Sequence, residues 1–576
     1  MRNIQGAVAG GEPVTDRERP AGVAASARRR ERLAWIAGFA VAAVALYVAY
    51  LRLSRTLPVN SDGANIDLMA WDMLHGNVSL RGWYAFDVSY LTTEIPQYAL
   101  LEAAFGLTPA VTHIAAAMTY TLSVLLAMTL ATGKAAGRAA LARALIAGGI
   151  MLAPQYSRGV FVLVLSVGHI GASVPLLVVL LVLDRARPGW RTAVIVGLLL
   201  AWATVGDPLT YVLGSVPLAV ACGYRLARGA VAARSGSGAA RRAAAGAAAR
   251  RSGVAAALRV RRYEAQLAVA ALASIGVAEA GLWAVRALGG LHLYPVQFRF
   301  TGVQDLGTHL SLTWQAVLVL FGAAARGQHG LWLAAAALHV AGLALAAVAV
   351  AGALWRWFRP AADLVEQVLA GGIVANLVLF ATSDMATMNP HELAVVLPFG
   401  AVLAGRVVTR MRTPGWLARR GLTGAVRRTS GILGAAVLSG YLACLIGTAT
   451  LPSAAPEDAP LAAFLEAHHL TDGVAGYWQA SSVTVDTGGR VRLRALADGD
   501  KAFLWGAKGN WYPPGASDAN FVVAQRVLDY ATVAQGEARL RGQFGAPARV
   551  YVVGGGDYLV LVYDKNLLTA VDGSTY

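Results

Sequence analysis

The chain has 576 residues, of which 57% are hydrophobic and 14% charged, and a formal net charge of +17. Soluble globular chains carry about 25% charged residues, and the apolar excess here comes in blocks of about 20 residues, the length that crosses a bilayer; a large soluble enzyme is excluded. The positive charge sits in short segments between those blocks, the positive-inside pattern, and no aromatic-rich basic fold accompanies it, so nucleic acid is not an expected partner.

Residues 1–32 are polar, rich in Gly, Ala and Arg, and end in "SARRRER". They read as a disordered, basic cytoplasmic tail. The apolar run that follows is long and lacks a cleavage site, so it reads as a first span and not as a signal peptide. That span covers about 33–52, and the arginines before it place the N-terminus inside and the first loop, 53–108, outside. Ten further spans are expected at about 109–131, from 141, up to "LDRARPGWR", at 191–205, 209–224, 265–288, 331–354, 364–382, 392–408 and 431–450. The fourth has an ambiguous start: 156–168 is either its upper part or an interfacial helix, which would put His169 at the outer surface. A segment ending near Gly322 dips into the membrane without crossing. Residues 223–262 hold ten arginines and no acid and read as a cytoplasmic loop near anionic headgroups. Arg406, at the inner end of the tenth span, reads as a topological charge. Cys222 and Cys444 lie inside apolar segments and read as small packed side chains, not as a disulfide or metal ligands. The expected fold class is thus a polytopic α-helical membrane protein of about eleven spans, occupying 33–451 in the cell membrane.

From Pro452 the chain stops being apolar, and 452–576 read as an extracytoplasmic α/β domain. "PLAAFLEAHHLTDGVAGYW" has helical spacing, "SVTVDTGGRVRLRAL" reads as a hairpin with a glycine turn, "NFVVAQRVLDYATVAQGEARLRGQFG" as strand then helix, and "RVYVVGGGDYLVLVYD" as a second hairpin around Gly554–Asp557. "VGGGD" lies between two alternating strands and opens no helix, so it reads as a turn and not as a phosphate loop. His468 and His469 are adjacent and point to different faces of a helix, which does not suit joint metal ligation.

The first outer loop begins "NSDGANIDLMAWDMLHGN". Asp62 follows the first span by about ten residues, where a carboxylate meets water and is still covered by neighbouring helices. Ala64–His75 has the apolar spacing of a helix lying in the interface. Further on, "TEIPQY" carries Glu94 before Ile95-Pro96, and the proline favours an extended or turn conformation before it; Glu94 is expected on a stiff loop. Asp72 and Asp87 read as solvated loop residues, and Asp67 as intermediate.

These features resemble the GT-C superfamily, polytopic glycosyltransferases that use lipid-phosphate sugar donors and include the protein O-mannosyltransferase and aminoarabinose transferase types. In the family an acidic first-loop motif precedes a "HPPL"-like segment. Here "SDGAN" stands for the first and "TEIPQY" for the second, with Gly63 where many members have a second acid and Glu94 in place of the histidine. The resemblance implies transfer of a sugar, with inversion, from a polyprenyl phosphate to an extracytoplasmic glycan, lipid or protein acceptor. Asp62 would be the general base, worth about 10²–10⁴-fold, and Glu94 would orient the acceptor or share a divalent metal with Asp62 and His169. Arg158, Arg299, His309 and His391 are the expected outer ligands of the lipid phosphate, arginine because its fork matches phosphate oxygens. Asp207, in "VGDPL", and Glu392 join His169 as acceptor or metal candidates; no metal identity follows. Two other readings remain at this point: a lipid-carrier flippase or transporter, and a noncatalytic cell-envelope scaffold.

Overall fold

The computed structural model describes residues 21–165, 168–235, 247–295, 299–359, 362–387, 389–410, 423–497, 500–515, 517–526 and 528–572. The chain divides into two units, 1–46 and 47–576. The first, where described, is the N-terminal part of helix α1 (Ala21–Ser54). The tail expected to be disordered through residue 32 is therefore helical from Ala21, since its Ala/Arg composition favours a helix that continues the span; residues 1–20 lie outside the described residues.

In the second unit, the first loop supplies α2 (Ser61–Leu74), the two-residue strand β1 (Trp83–Tyr84) and α3 (Glu94–Phe105). The membrane helices follow: α4 (Pro109–Thr132), α5 (Gly137–Met151), a broken segment from Arg158 to Leu165 that resumes at His169 and leads into α6 (Ser173–Arg185), then α7 (Trp190–Gly206), α8 (Val216–Ser235), α9 (Ala247–Ala287), α10 (Leu306–Leu320), α11 (Gly330–Trp357), α12 (Leu364–Thr382), α13 (Val396–Val408) and α14 (Thr423–Ala449). Six helices among the described residues are long and apolar enough to cross a membrane, or seven if the broken segment is one span. Of the other expected spans, several fall on shorter helices, such as the 17-residue α7 and the 13-residue α13. This is a multi-pass membrane protein. The basic segment 223–262 is mostly helix, because α8 runs on to Ser235 and α9 already begins at Ala247; residues 236–246 between them lie outside the described residues.

The C-terminal domain contains α15 (Ala459–Ala467), β2 (Asp472–Gly476), α16 (Tyr477–Asp486), β3 (Arg492–Ala497), β4 (Lys501–Ala502), β5 (Ala507–Lys508), β6 (Phe521–Gln525), α17 (Val533–Phe544), β7 (Arg549–Val553) and β8 (Tyr558–Val562). Six strands form one sheet in the order β4-β3-β2-β6-β8-β7, with β2 parallel to both β3 and β6. The expected hairpin at "SVTVDTGGRVRLRAL" is instead the end of α16, a turn, and β3. Gly488 and Gly489 both have positive φ and follow the helix as a C-terminal stop, not as a two-strand turn. Burial on the core face of α16 outweighs the strand preference of Val483 and Val485. The strand–helix pair β6–α17 and the hairpin β7–β8 around Gly554–Gly556 form as expected.

Two apolar layers cover the faces of the sheet. A third core fills the first loop, where Ile66, Met69, Trp83, Phe86, Tyr90 and Tyr98 pack with Val485 of α16. Strand β1 pairs with β5, antiparallel, and ties the loop to the domain. Helix α2 therefore does not lie in the interface with one face to lipid: Ser61 and Gly63–Ala70 are all buried. Its small residues admit close packing, and α16 covers them.

Candidate active site

The start of α2 is set by Asn60, in extended conformation, whose side-chain oxygen accepts from the Gly63 N–H at 3.2 Å. This N-cap places Asp62 in the first turn, where a carboxylate is favoured by the helix dipole. One Asp62 oxygen accepts from the Tyr477 hydroxyl and the other from the Asn60 amide at 3.2 Å. Tyr477 is the first residue of α16, so the acid of the first loop is held by the C-terminal domain. The same seam is closed by Asn65, which donates to the Tyr477 hydroxyl at 3.2 Å, and by Ser61, which donates to the Trp478 carbonyl at 2.9 Å. Burial pushes the Asp62 carboxyl above its usual range, and the bonds from Tyr477 and Asn60 pull it back in part.

Glu94 opens α3 and does not sit on an extended loop. Pro96 lies in the first turn of that helix, where its missing N–H has no partner to lose. The Glu94 carboxyl is buried, and its Oε2 has no hydrogen-bond partner. It rests directly on Gly171: a Cβ there would come within 1.6 Å of Glu94 Oε1. Gly206 makes the same allowance for Thr93, at 2.6 Å. Burial raises Glu94 to about 7, helped by the Asp207 charge and opposed by Thr93 and His169.

His169 begins the turn where the broken segment resumes, and its Nδ1 lies 2.8 Å from Asp207 Oδ2. Asp207 caps α7; its other oxygen accepts from the Leu209 N–H at 2.8 Å. Asp87 and Glu392 both lie within electrostatic reach of His169, and burial raises both carboxyls. Tyr90, at φ 51, is buried and lies in the electrostatic field of Glu94, Asp87, Asp207 and Asp62 together. A non-glycine residue in the left-handed region is a strained feature typical of functional sites. Asp62, Glu94, His169, Asp207 and Glu392, scattered over 330 positions of sequence, thus gather at one end of the membrane helices.

Of the expected phosphate ligands, Arg299 and His309 are bonded to Asp384 and Ser383, just past the end of α12, and His391 follows in the same loop. Arg158, exposed, opens the helical turn that leads to Phe161, whose ring meets that of His391 edge-on at 5.6 Å. Arg299, also exposed, pairs its backbone with Asp384, and His309 Nδ1 lies 2.8 Å from the Ser383 carbonyl. Burial lowers His391 to about 4, with the His169 charge adding to this.

Asp72 and Asp87 are only partly exposed, not free loop residues. Asp72 accepts from Trp83 at 2.7 Å and from Lys508 at 2.9 Å, a clasp between loop and domain. Asp87 is half-buried in the acid cluster. Asp67 is fully buried, accepts from Thr112 at 2.6 Å and lies near Glu102, whose two oxygens have no partner; burial, then Asp67, raises Glu102 to about 10. Arg406 is more than a topological charge: it is 1% exposed and paired with Asp184 at 2.6 Å. Sequence reasoning gave no role to Tyr90 or Tyr477. Tyr477 had no local signal, because its partner lies 415 residues away.

No protein-family profile matches the chain, and no curated protein is similar to it in sequence. Among solved structures, ArnT from Cupriavidus metallidurans in the apo state is similar over 94% of this chain and 99% of its own, at 13% identity and a TM-score of 0.53. ArnT bound to undecaprenyl phosphate is similar over 92% of this chain and 98% of its own, at 12% identity and a TM-score of 0.48. The archaeal oligosaccharyltransferase AglB from Archaeoglobus fulgidus, in complex with an inhibitory peptide and a dolichol-phosphate, is similar over 91% of this chain and 74% of its own, at 12% identity and a TM-score of 0.45. The likeness to apo ArnT takes in nearly the whole of both chains, membrane helices and C-terminal domain alike. The chain thus shares the fold of ArnT, in line with the GT-C-like membrane fold expected for it.

Proposed function

We infer that the protein is a membrane glycosyltransferase that moves a sugar from a polyprenyl phosphate to a hydroxyl acceptor on the extracytoplasmic side. The observation that carries this reading is the Asp62 carboxylate, fixed in the first turn of α2 between Tyr477 and Asn60. Its burial raises its basicity without burying it completely. The fold shared with ArnT and the "SDGAN…TEIPQY" motif support the substrate class. The arginine-rich ends of the helices support a cytoplasmic N-terminus and an outward acidic end.

In the reaction the acceptor oxygen bonds to the anomeric carbon as the bond from that carbon to the phosphate oxygen breaks. Asp62 takes the acceptor proton, and the lipid phosphate leaves as an anion, with inversion. Removing that proton as charge develops is the work of a positioned base. The Tyr477 and Asn60 bonds hold the carboxylate in one orientation. Glu94 and the His169–Asp207 pair line the acceptor side, and Arg158, Arg299 and His391 take the leaving phosphate.

A divalent metal shared by Asp62, Glu94 and His169 does not fit the residues as they lie. Asp62 turns its two oxygens to Tyr477 and Asn60, and among the described residues no three His, Cys, Asp or Glu side chains group as metal ligands do. No step above runs through a metal.

Mass spectrometry of the purified protein tests the reading. It should find a co-purifying lipid-phosphate-linked sugar, which is discharged to free lipid phosphate by wild type in the presence of envelope extract and retained by Asp62→Asn. Equal discharge by the two proteins would sink the assignment of Asp62.

A further inference from the structure

A groove of about 580 Å³ opens beside Asn60, between the start of α2 and the C-terminal domain. Its size is that of a pocket for a small organic ligand, about 300–1,000 Å³. It lies where the sheet is built to receive one. The chain leaves the carboxyl end of β2 through α16 towards β3 on one side, and leaves the carboxyl end of the neighbouring parallel strand β6 through α17 towards the opposite edge. The crevice between two such strands is the usual ligand position in open α/β sheets. Trp478 and Gln479 stand just past the end of β2, Gln525 and Arg526 at the end of β6, and Asp557 and Tyr558 at the start of β8, which is paired with β6.

We propose that this groove binds the acceptor, and that the acceptor is a glycan whose seated residues are neutral or amine-bearing; this rests on the glycosyltransferase reading above. Three features carry it. Trp478 is 47% exposed although its neighbour Tyr477 is locked onto Asp62. An open indole wall beside amides and carboxylates suits a ring with an apolar C–H face and a rim of hydroxyls. The charged lining residues are Glu457, Asp458 and Asp557 against Arg526 alone, and Arg526 is already paired with Asp557 at 2.7 Å. A surplus of carboxylates repels phosphates and uronic acids and accepts from hydroxyls and amines. β2 and β6 are interior strands with partners on both sides, so the groove floor offers no free strand edge to an extended peptide. The position gives the chemistry its direction. Asn60 lines the groove and donates to Asp62, and Ser61 is bonded to the Trp478 carbonyl, so a sugar chain seated on Trp478 ends next to the proposed base.

The test uses full-length Asp62→Asn protein, in which transfer is blocked and binding is read alone. Calorimetric titration with mannotriose and chitotriose should show saturable binding of at least one, and none of trigalacturonic acid or of a neutral hexapeptide. Trp478→Ala should weaken that binding roughly tenfold, the size of one aromatic contact, and Trp478→Phe should restore most of it. Asp557→Lys, at an exposed ion pair, should admit trigalacturonic acid. Absence of binding by both neutral trisaccharides, equal binding by Trp478→Ala, or preference for the hexapeptide overturns the proposal. Sugar transfer that depends on Asp62 in a protein blind to both trisaccharides removes the groove and leaves the enzyme; trisaccharide binding in a wild-type protein without transfer does the reverse.

Discussion

The two ends of the membrane helices handle buried charge in opposite ways. At the basic end, the carboxylates sit against guanidinium groups. Arg406 meets Asp184 at 2.6 Å and Asp363 at 3.5 Å, Glu366 is shared by Arg410 at 2.6 Å and Arg356 at 3.2 Å, and Glu264 pairs with Arg225 at 2.5 Å. At the acidic end Asp62, Asp87, Glu94, Asp207 and Glu392 collect around Tyr90 and His169. Among the described residues, one of the five has a cationic side chain within ion-pairing distance, Asp207, and its partner is a histidine. Charge that only holds helices together is neutralised, because an unpaired buried ion costs several kcal/mol. Charge left uncompensated costs stability, and a fold keeps that cost where chemistry needs the group.

This contrast can be broken by experiment. The largest effect is expected at Asp62. Asp62→Asn should lower the rate of sugar transfer by about 10²–10⁴-fold, with a thermal midpoint at or above that of wild type, as measured by product formation and by unfolding in detergent. A variant that unfolds more readily and still transfers sugar would make Asp62 a structural residue like those at the basic end. Arg406→Met should do the opposite. Loss of one partner leaves Asp184 buried and unpaired, a cost of about 3–5 kcal/mol, read as a fall in the unfolding midpoint, while turnover per folded molecule is kept.

Glu94 gives the sharper version. Its ordinary value is 4.5 and its folded value about 7, so between these pH values the native state holds a proton that the unfolded chain has released. Stability contributed by this group is therefore complete below pH 4.5 and lost as the pH rises through 7. Glu94→Gln should match wild type at pH 4 and be more stable at pH 8, by on the order of 3 kcal/mol, while transferring sugar more slowly. Equal pH dependence of the two proteins would remove Glu94 from the uncompensated set. The smallest effect belongs to the clasp. Burial raises Asp72, but Lys508, Trp83 and Asn77 outweigh it, and the carboxyl is held below its usual range. Lys508→Met should cost about 1 kcal/mol, since both partners are partly exposed, and should leave the pH profile of transfer unmoved.

Much of the acidic cluster was legible because its chemistry is unusual for its surroundings. Asp62 just past an apolar run, Glu94 before a proline, His169 in an apolar stretch and Asp207 before Pro208 each stand out against a 57% hydrophobic chain. Asp87 was misread although Phe86 and Val88 flank it, because the groups that enclose it, His169 and Asp207, come from distant parts of the chain. The hairpin reading of "SVTVDTGG" failed because β-branched residues suit a strand equally well until packing decides, and α16 is packed on α2. Arg406 looked like a topological charge because its partners, Asp184 and Asp363, lie on other helices.

The sequence by itself determined that the chain crosses a membrane many times, which loops hold the acids, and that a mixed α/β domain follows residue 452, since all three rest on composition and on period along a short window. Which acids meet, which are paired, and that Tyr477 closes on Asp62 were decided only by tertiary structure. Those contacts join residues hundreds of positions apart, and their strength depends on burial, a property that no residue possesses until the helices around it have packed.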